Sequence, residues 1–423
     1  MFSFTNENHS GNLTALSCRD GLKMKPFSHP LHPLFQQSNV GCETWWNTVK
    51  KLDNPLVTVQ TNNKSSCTFV WRKPKHEERC FVYIDVYSQS PSIYQKWNRF
   101  SHIAGTNVYF FEIELPVAWA GSYVVVTASE EAPQTNCAAT RRSWWQTQLK
   151  QNAQIDSLSH QQFYSGHLAR YINQVQLEKT KQLPTTLCPI TKTFQWSSVL
   201  CQQDYLVDVF ISGQAVQKTL PLVIFLDGQV WSRELSILSE IRDLTDLKKL
   251  RPAAYVFIHS LNSQQRRQDY GCHDVFSQAL VSELLEILLE QYSFISTTNI
   301  TLCGQSLGGL CALHSALLFP KVFTSLILQS GSYWWSDFSN SALGRNHTGN
   351  FLELLNLSHP LPKTTQIYIS AGTYETDMRD DAHQLYQQLQ SFNQVSFRTF
   401  SGGHDAVNWR ADLLKALQKI LSL

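Results

Sequence analysis

Gly304-Gln305-Ser306-Leu307-Gly308-Gly309 stands between an apolar run, Ile300–Cys303, and a helical pattern, Leu310–Leu318. That succession constrains the fold more than any other feature of the chain. A strand that enters a helix through one tight turn is a unit of an α/β sheet. Glycines flanking Ser306 relieve the clashes of so sharp a turn and leave its hydroxyl projecting above the sheet's C-terminal edge, as in a nucleophile elbow. The pentapeptide alone is a weak signal; the strand before it and the helix after it make Ser306 the candidate nucleophile.

The same rhythm runs through residues 188–423. Hairpin-like strands, Thr193–Leu200 and Tyr205–Ser212, are followed by apolar runs at Leu222–Leu226, Ala254–His259, Leu326–Gln329, Ile367–Ser370 and Val395–Phe400. Amphipathic stretches such as Asp274–Gln291 and Asp405–Leu421 lie between or after them, so a mostly parallel sheet with helices on both faces is predicted. Residues 41–160 read differently. Short runs (Leu56–Gln60, Cys67–Trp71, Cys80–Val86, Val108–Leu115, Ser122–Thr127) with no convincing helix between them predict a β-sandwich. Periodicity fades from Glu130, and residues 161–187 are expected to be a connector. Residues 1–40, with a Pro/His stretch from Pro26 to Pro33, are expected to be a loosely ordered extension. His29 and His32 each precede a proline, with no cysteine or carboxylate at ligand spacing, so no metal site is expected there.

Lys+Arg 35 against Asp+Glu 33 gives a net charge of +2, too balanced for a polyanion-binding field, so nucleic acid is not an expected partner. The absence of an 18-residue apolar run argues against membrane insertion. With no secretion signal at the N-terminus and ten scattered cysteines without a Cys-x-x-Cys pair, free thiols in the cytoplasm are expected. Charged residues are only 16% and aromatics 12%, including 12 Trp, which suits an aromatic-lined site.

A serine hydroxyl needs a histidine base, and the histidine needs a carboxylate to fix its tautomer. His314 lies within the elbow helix and cannot turn back. His404, in the Gly-rich loop Ser401-Gly402-Gly403-His404-Asp405 between the last strand and last helix, is where catalytic loops gather in such sheets. The acid is expected at the exit of Ile367–Ser370, where Glu375 and Asp377 both qualify and Glu375 is preferred. Asp380, Asp381 and Asp405 suit helix N-termini. Oxyanion donors are expected from the N–H of Leu307 and from that of Gln229 or Gly228, in the turn after Leu222–Leu226.

Several segments together resemble the bacterial enterobactin (enterochelin) esterases: Glu43-Thr44-Trp45-Trp46, Ile103-Ala104-Gly105-Thr106, Trp119-Ala120-Gly121-Ser122-Tyr123, Leu226-Asp227-Gly228, Gln329-Ser330-Gly331-Ser332-Tyr333-Trp334-Trp335 and Gly402-Gly403-His404-Asp405. The likeness runs from about Gly41 to the C-terminus. It implies an immunoglobulin-like N-terminal β-sandwich, a C-terminal α/β-hydrolase domain, a cytoplasmic location and hydrolysis of the trilactone of ferric enterobactin or related catecholate siderophores, with no cofactor. Carried over by motif, Ser306 is nucleophile, His404 base and Glu375 acid. A triscatecholate around Fe(III) presents aromatic faces and negative charge, so Trp231, Tyr333, Trp334 and Trp335 beside strand ends, with Arg266 and Arg267, are the expected substrate contacts. The related pattern favours Arg266. A feruloyl-type carboxylesterase and a non-catalytic catecholate-binding protein are the alternative readings. Oligomeric state is left open.

Overall fold

Two kinds of residue pattern give two kinds of sheet. The computed structural model describes residues 30, 32–59, 63–73, 80–88, 96–117, 119–161, 163–165, 171–177, 189–213, 219–344, 347–355, 361–391 and 394–422. The N-terminal unit contains α1 (Glu43–Leu52), β1 (Leu56–Val59), β2 (Lys64–Arg72), β3 (Phe81–Val86), β4 (Ser101–His102), β5 (Val108–Pro116), β6 (Ala120–Ala128), α2 (Ala138–Asn152), β7 (Ala153–Gln154), β8 (Phe163–Tyr164) and β9 (Ile172–Gln176). Its strands form two antiparallel sheets, β1-β2-β5-β4 and β3-β6-β9-β8, with β7 on the edge of β6. Alternate residues of both meet in one core: Phe69, Phe111 and Ile113 from one sheet, Val82, Ile84, Tyr123, Val125 and Val175 from the other.

Three expectations are corrected here. Residues 32–40 are docked: Leu34 and Phe35 are buried against Trp45, and Trp45 Nε1–H donates to the Leu34 carbonyl at 2.9 Å. His32 caps this turn, accepting the Leu34 N–H on Nδ1; His29 lies outside the described residues. The polar stretch after Glu130 holds a fifteen-residue helix, α2, buried through Arg141, Trp145 and Leu149 at four-residue spacing. The expected connector 161–187 contributes β8 and β9, and β9 pairs with β6, so the unit extends past residue 160. Residues 162, 166–170 and 178–187 of that stretch lie outside the described residues.

The C-terminal unit comprises β10 (Lys192–Ser198), β11 (Gln203–Ser212), β12 (Leu220–Phe225), α3 (Leu238–Asp246), β13 (Ala253–Ile258), α4 (Ser263–Tyr270), α5 (Asp274–Ala279), α6 (Leu285–Gln291), β14 (Ile295–Gln305), α7 (Leu307–Leu318), β15 (Ser325–Gln329), α8 (Phe351–Leu355), β16 (Gln366–Gly372), α9 (Thr376–Leu389), β17 (Gln394–Phe400) and α10 (Ala406–Ile420). The sheet runs β10-β11-β13-β12-β14-β15-β16-β17; β10, β11 and β13 pair antiparallel in succession, and every pair from β13 to β17 is parallel. Both faces are buried. Leu222, Ile224 and Leu226 face the helices α5 to α9, while Val223 and Phe225 face α3 and α10. Strand order reverses around β12, which lies between β13 and β14, and a crevice opens at such a switch point. Among the described residues, no helix is long and apolar enough to cross a membrane.

Candidate active site

Strand β14 ends at Gln305 and α7 begins at Leu307, so Ser306 makes the whole turn. Its backbone, at φ 58° and ψ −123°, lies where side-chain-bearing residues are strained. A Cβ at Gly304 would lie 2.0 Å from the Gly308 carbonyl oxygen, so only glycine lets strand and helix approach this closely. Two neighbours hold the turn: Ser306 N–H donates to the Gln329 carbonyl at 3.0 Å, and Ser332 N–H donates to the Ser306 carbonyl at 3.1 Å.

His404, between β17 and α10, has Nε2 3.0 Å from Ser306 Oγ and Nδ1 2.6 Å from Glu375 Oε1. An ionised carboxylate only accepts, so Nδ1 carries the proton and Nε2 is left to accept from the serine hydroxyl. Glu375, at the exit of β16, is buried, and its Oε2 accepts the Gly372 N–H and the Ser330 hydroxyl, each at 2.6 Å. Trp409 Nε1–H donates to Ser330 Oγ at 2.9 Å, and the Trp409 ring meets His404 edge-on at 4.7 Å. Asp377 is exposed in the first turn of α9; of the two carboxylates left open by sequence, Glu375 meets the histidine.

The turn after β12 abuts the start of α7: a Cβ at Gly308 would lie 3.5 Å from both the Asp227 carboxylate and Leu226. The Leu307 N–H, at the first helical position, has no intrahelical partner. Gln229 is anchored through its side chain, Oε1 accepting the Ser260 N–H at 3.0 Å and Nε2–H donating to Ser260 Oγ at 2.8 Å. Gly228 is buried, and its carbonyl accepts from Ser232 Oγ.

The expected substrate contacts divide. Trp231 is 1% exposed and its Nε1–H donates to Gln305 Oε1 at 3.1 Å, so it is scaffold rather than open lining. Tyr333 is fully buried, with its ring packed over Gly331. Arg266 is engaged in a bidentate pair with Asp227, Nε to Oδ1 at 2.7 Å and Nη2 to Oδ2 at 2.6 Å, with Nη2 also 3.4 Å from the Gln305 carbonyl. The Arg266 charge, the one preferred from sequence, is thereby matched by a neighbouring carboxylate. Arg267 is exposed, with its guanidinium 4.5 Å over the ring of buried Trp335, and Trp334 is 49% exposed.

Sequence reasoning missed a buried amide relay beneath the elbow. Gln305 Nε2–H donates to Gln329 Oε1 at 2.9 Å, Gln329 Nε2–H to Asp412 Oδ2 at 3.0 Å, and Ser370 Oγ–H to the same Asp412 oxygen at 2.6 Å. It links the ends of β14, β15 and β16 to α10. The Gln at the end of each of two adjacent apolar strands was its one visible trace.

A family model described as "Putative esterase" matches residues 200–420, more than half of the chain, and one described as "Enterochelin esterase, N-terminal" matches residues 66–184. The chain is 28% identical over 400 residues to the iron(III) enterobactin esterase of Escherichia coli strain K12, covering 89% of this chain and 96% of that protein. Among solved structures, the enterobactin esterase of Shigella flexneri, crystallised in the presence of enterobactin, superposes with a TM-score of 0.74 at 27% identity, covering 90% of this chain and 98% of that one. The ferric enterobactin esterase of Salmonella typhimurium gives 0.75 at 25% identity, covering 89% and 98%. With an esterase unit matched across its strand–helix half and an enterochelin esterase unit matched before it, the chain belongs to the enterobactin esterase family.

Proposed function

We propose that this protein is a serine esterase that hydrolyses the trilactone esters of ferric enterobactin or a related catecholate siderophore, releasing dihydroxybenzoylserine units. The observation that carries the reading is the continuous hydrogen-bond line Ser306 Oγ, His404, Glu375 at the C-terminal edge of the parallel sheet. Ser306 Oγ attacks the lactone carbonyl carbon while His404 Nε2 takes its proton, and the N–H groups of Leu307 and of Gln229 or Gly228 receive the oxyanion. Collapse breaks the acyl–oxygen bond, and the seryl alkoxide leaves with the proton from His404. Water, deprotonated by the same nitrogen, then frees Ser306. Glu375 keeps the proton on Nδ1 and stabilises the imidazolium.

Arg267 over Trp335, with Trp334 beside it, is read as the contact for an anionic, aromatic-faced chelate. The two N-terminal sheets are read as an immunoglobulin-like sandwich, and the cytoplasm as the place of action on an internalised chelate. Opening the lactone splits one hexadentate ligand into pieces, and the loss of effective concentration loosens the iron. Incubating ferric enterobactin with wild type and Ser306→Ala, followed by chromatography of catechol products, tests this. Wild type is expected to yield linear trimer, dimer and monomer, and Ser306→Ala none while still binding the ferric chelate. Intact enterobactin alongside rapid cleavage of feruloyl esters would replace the siderophore reading.

A further inference from the structure

The loop that carries His404 is fastened to the N-terminal unit on both sides of the histidine. On one side, buried Asp405 accepts the Ser122 N–H at 2.6 Å, the Ser122 hydroxyl at 2.8 Å, and the Val407 N–H of its own helix at 3.0 Å. Ser122 Oγ also meets the Tyr164 hydroxyl at 3.1 Å. On the other side, Gly403 N–H donates to Asn408 Oδ1 at 3.0 Å, and Asn408 Nδ2–H donates to the Ala120 carbonyl at 2.8 Å. Ala120 and Ser122 both belong to β6, and Ser122 lies 283 positions before Asp405 in sequence. The approach is close enough that a Cβ at Gly403 would lie 2.0 Å from Ser88.

Capping α10 needs only the Val407 bond. A carboxylate buried as deeply as Asp405 is costly unless further donors reach it, and both of the further donors come from Ser122. Residues 403 and 405 are thereby tied to one strand while the residue between them faces Ser306.

We propose that Ser122 and Asp405 are positioning residues, a clamp through which the N-terminal unit holds His404 in register with Ser306 and Glu375. The inference rests on the reading of Ser306 as nucleophile and His404 as base. Its test uses the full chain and a fluorophosphonate, with which Ser306 Oγ bonds to phosphorus, fluoride leaves and His404 takes the hydroxyl proton. Second-order labelling constants and thermal midpoints are measured for wild type, Ser122→Ala, Asp405→Asn and the double variant, together with kcat and KM on a soluble ester.

Ser122→Ala is expected to slow labelling on the order of tenfold, as a small misplacement of a reacting group does. Its kcat should fall in parallel with KM nearly unchanged. Asp405→Asn should lose more, because in either orientation its amide N–H would face a backbone donor, the Ser122 N–H or the Val407 N–H, and the double variant should be no slower than Asp405→Asn, since both changes remove one interaction. Labelling of Ser122→Ala at the wild-type rate, whatever its thermal midpoint, overturns the clamp and leaves an interface contact only. Strictly additive losses overturn it as well. If Asp405→Asn does not fold, Ser122→Ala decides alone. Failure of the underlying reading is distinguishable: wild type would then not be labelled at Ser306, and the clamp would fall with it. Labelled wild type that leaves enterobactin intact removes only the substrate reading, and the labelling constants still decide the clamp.

Discussion

Glu375 has its two carboxylate oxygens committed to different partners, Oε1 to His404 and Oε2 to the Gly372 N–H and Ser330 hydroxyl. The Gly372 N–H can only donate, so in Glu375→Gln the amide oxygen must stay on that side and the amide nitrogen must face His404. Nδ1 would then accept, Nε2 would carry the proton, and the base could no longer receive the Ser306 hydroxyl. A fall in kcat on the order of 10³–10⁴ with KM little changed is expected from steady-state kinetics. Asp377→Asn, on an exposed turn, should stay within about twofold of wild type. Ser306, His404 and Glu375 were legible in sequence because each sits where an apolar strand gives way to a loop. Ser330 and Trp409 were not, for a serine after a strand and a tryptophan in an amphipathic helix have no local mark. Their role arises only when β15, β16 and α10 come together.

Among elements, the brace between α4 and the exit of β12 gives Arg266 a partner that its place beside a strand end does not reveal. Arg266 was legible as a functional arginine beside a strand end, but whether it faces a ligand or a neighbouring carboxylate depends on Asp227, thirty-nine positions earlier. Asp227 adopts φ 53°, which turns the chain after β12 toward α7, and Arg266 matches the buried charge that results. Arg266→Ala would leave that buried carboxylate without its cation, although the Ser260 hydroxyl still donates to Oδ1 at 2.8 Å. A loss of about 3–5 kcal/mol is expected, read as a thermal midpoint lower by roughly 10 °C. Arg266→Lys should recover only part of it, since an ammonium cannot make both bonds. Helix α2 escaped sequence reading for a related reason: its buried stripe includes an arginine, Arg141, whose guanidinium lies 4.4 Å over Trp97, so the apolar period is interrupted where the packing is not.

For the whole molecule, the two-unit plan and a mostly parallel sheet in the second unit were legible because they follow from periodicity, whereas the order of strands across that sheet does not. The ties between units were not, because hydrogen bonds between distant segments leave no periodic trace. One long-range group also sets a pH dependence. Asp269 is 3% exposed, bonded by Gln265 Nε2–H at 2.9 Å and the Tyr205 hydroxyl at 3.1 Å, and burial pushes its carboxyl up to about 6 from 3.8. Between those values the folded chain binds more protons than the unfolded one, so this group's contribution to stability falls as pH rises through the window, and its full penalty stands above it. Asp269→Asn should therefore raise the thermal midpoint at pH 7.5, with the gain shrinking toward pH 5. A gain that grows on acidification would refute the assignment.

The placement of the tryptophans has an optical consequence. All twelve lie in described segments, seven are buried and four half-buried, and Trp334 alone is exposed, beside the pair formed by Arg267 and Trp335. An indole open to solvent is the one that can be touched directly by what settles on that surface. On the proposed placement of a ferric catecholate against Trp334, binding would dim that indole, and Trp334→Phe is the blank against which to read the loss.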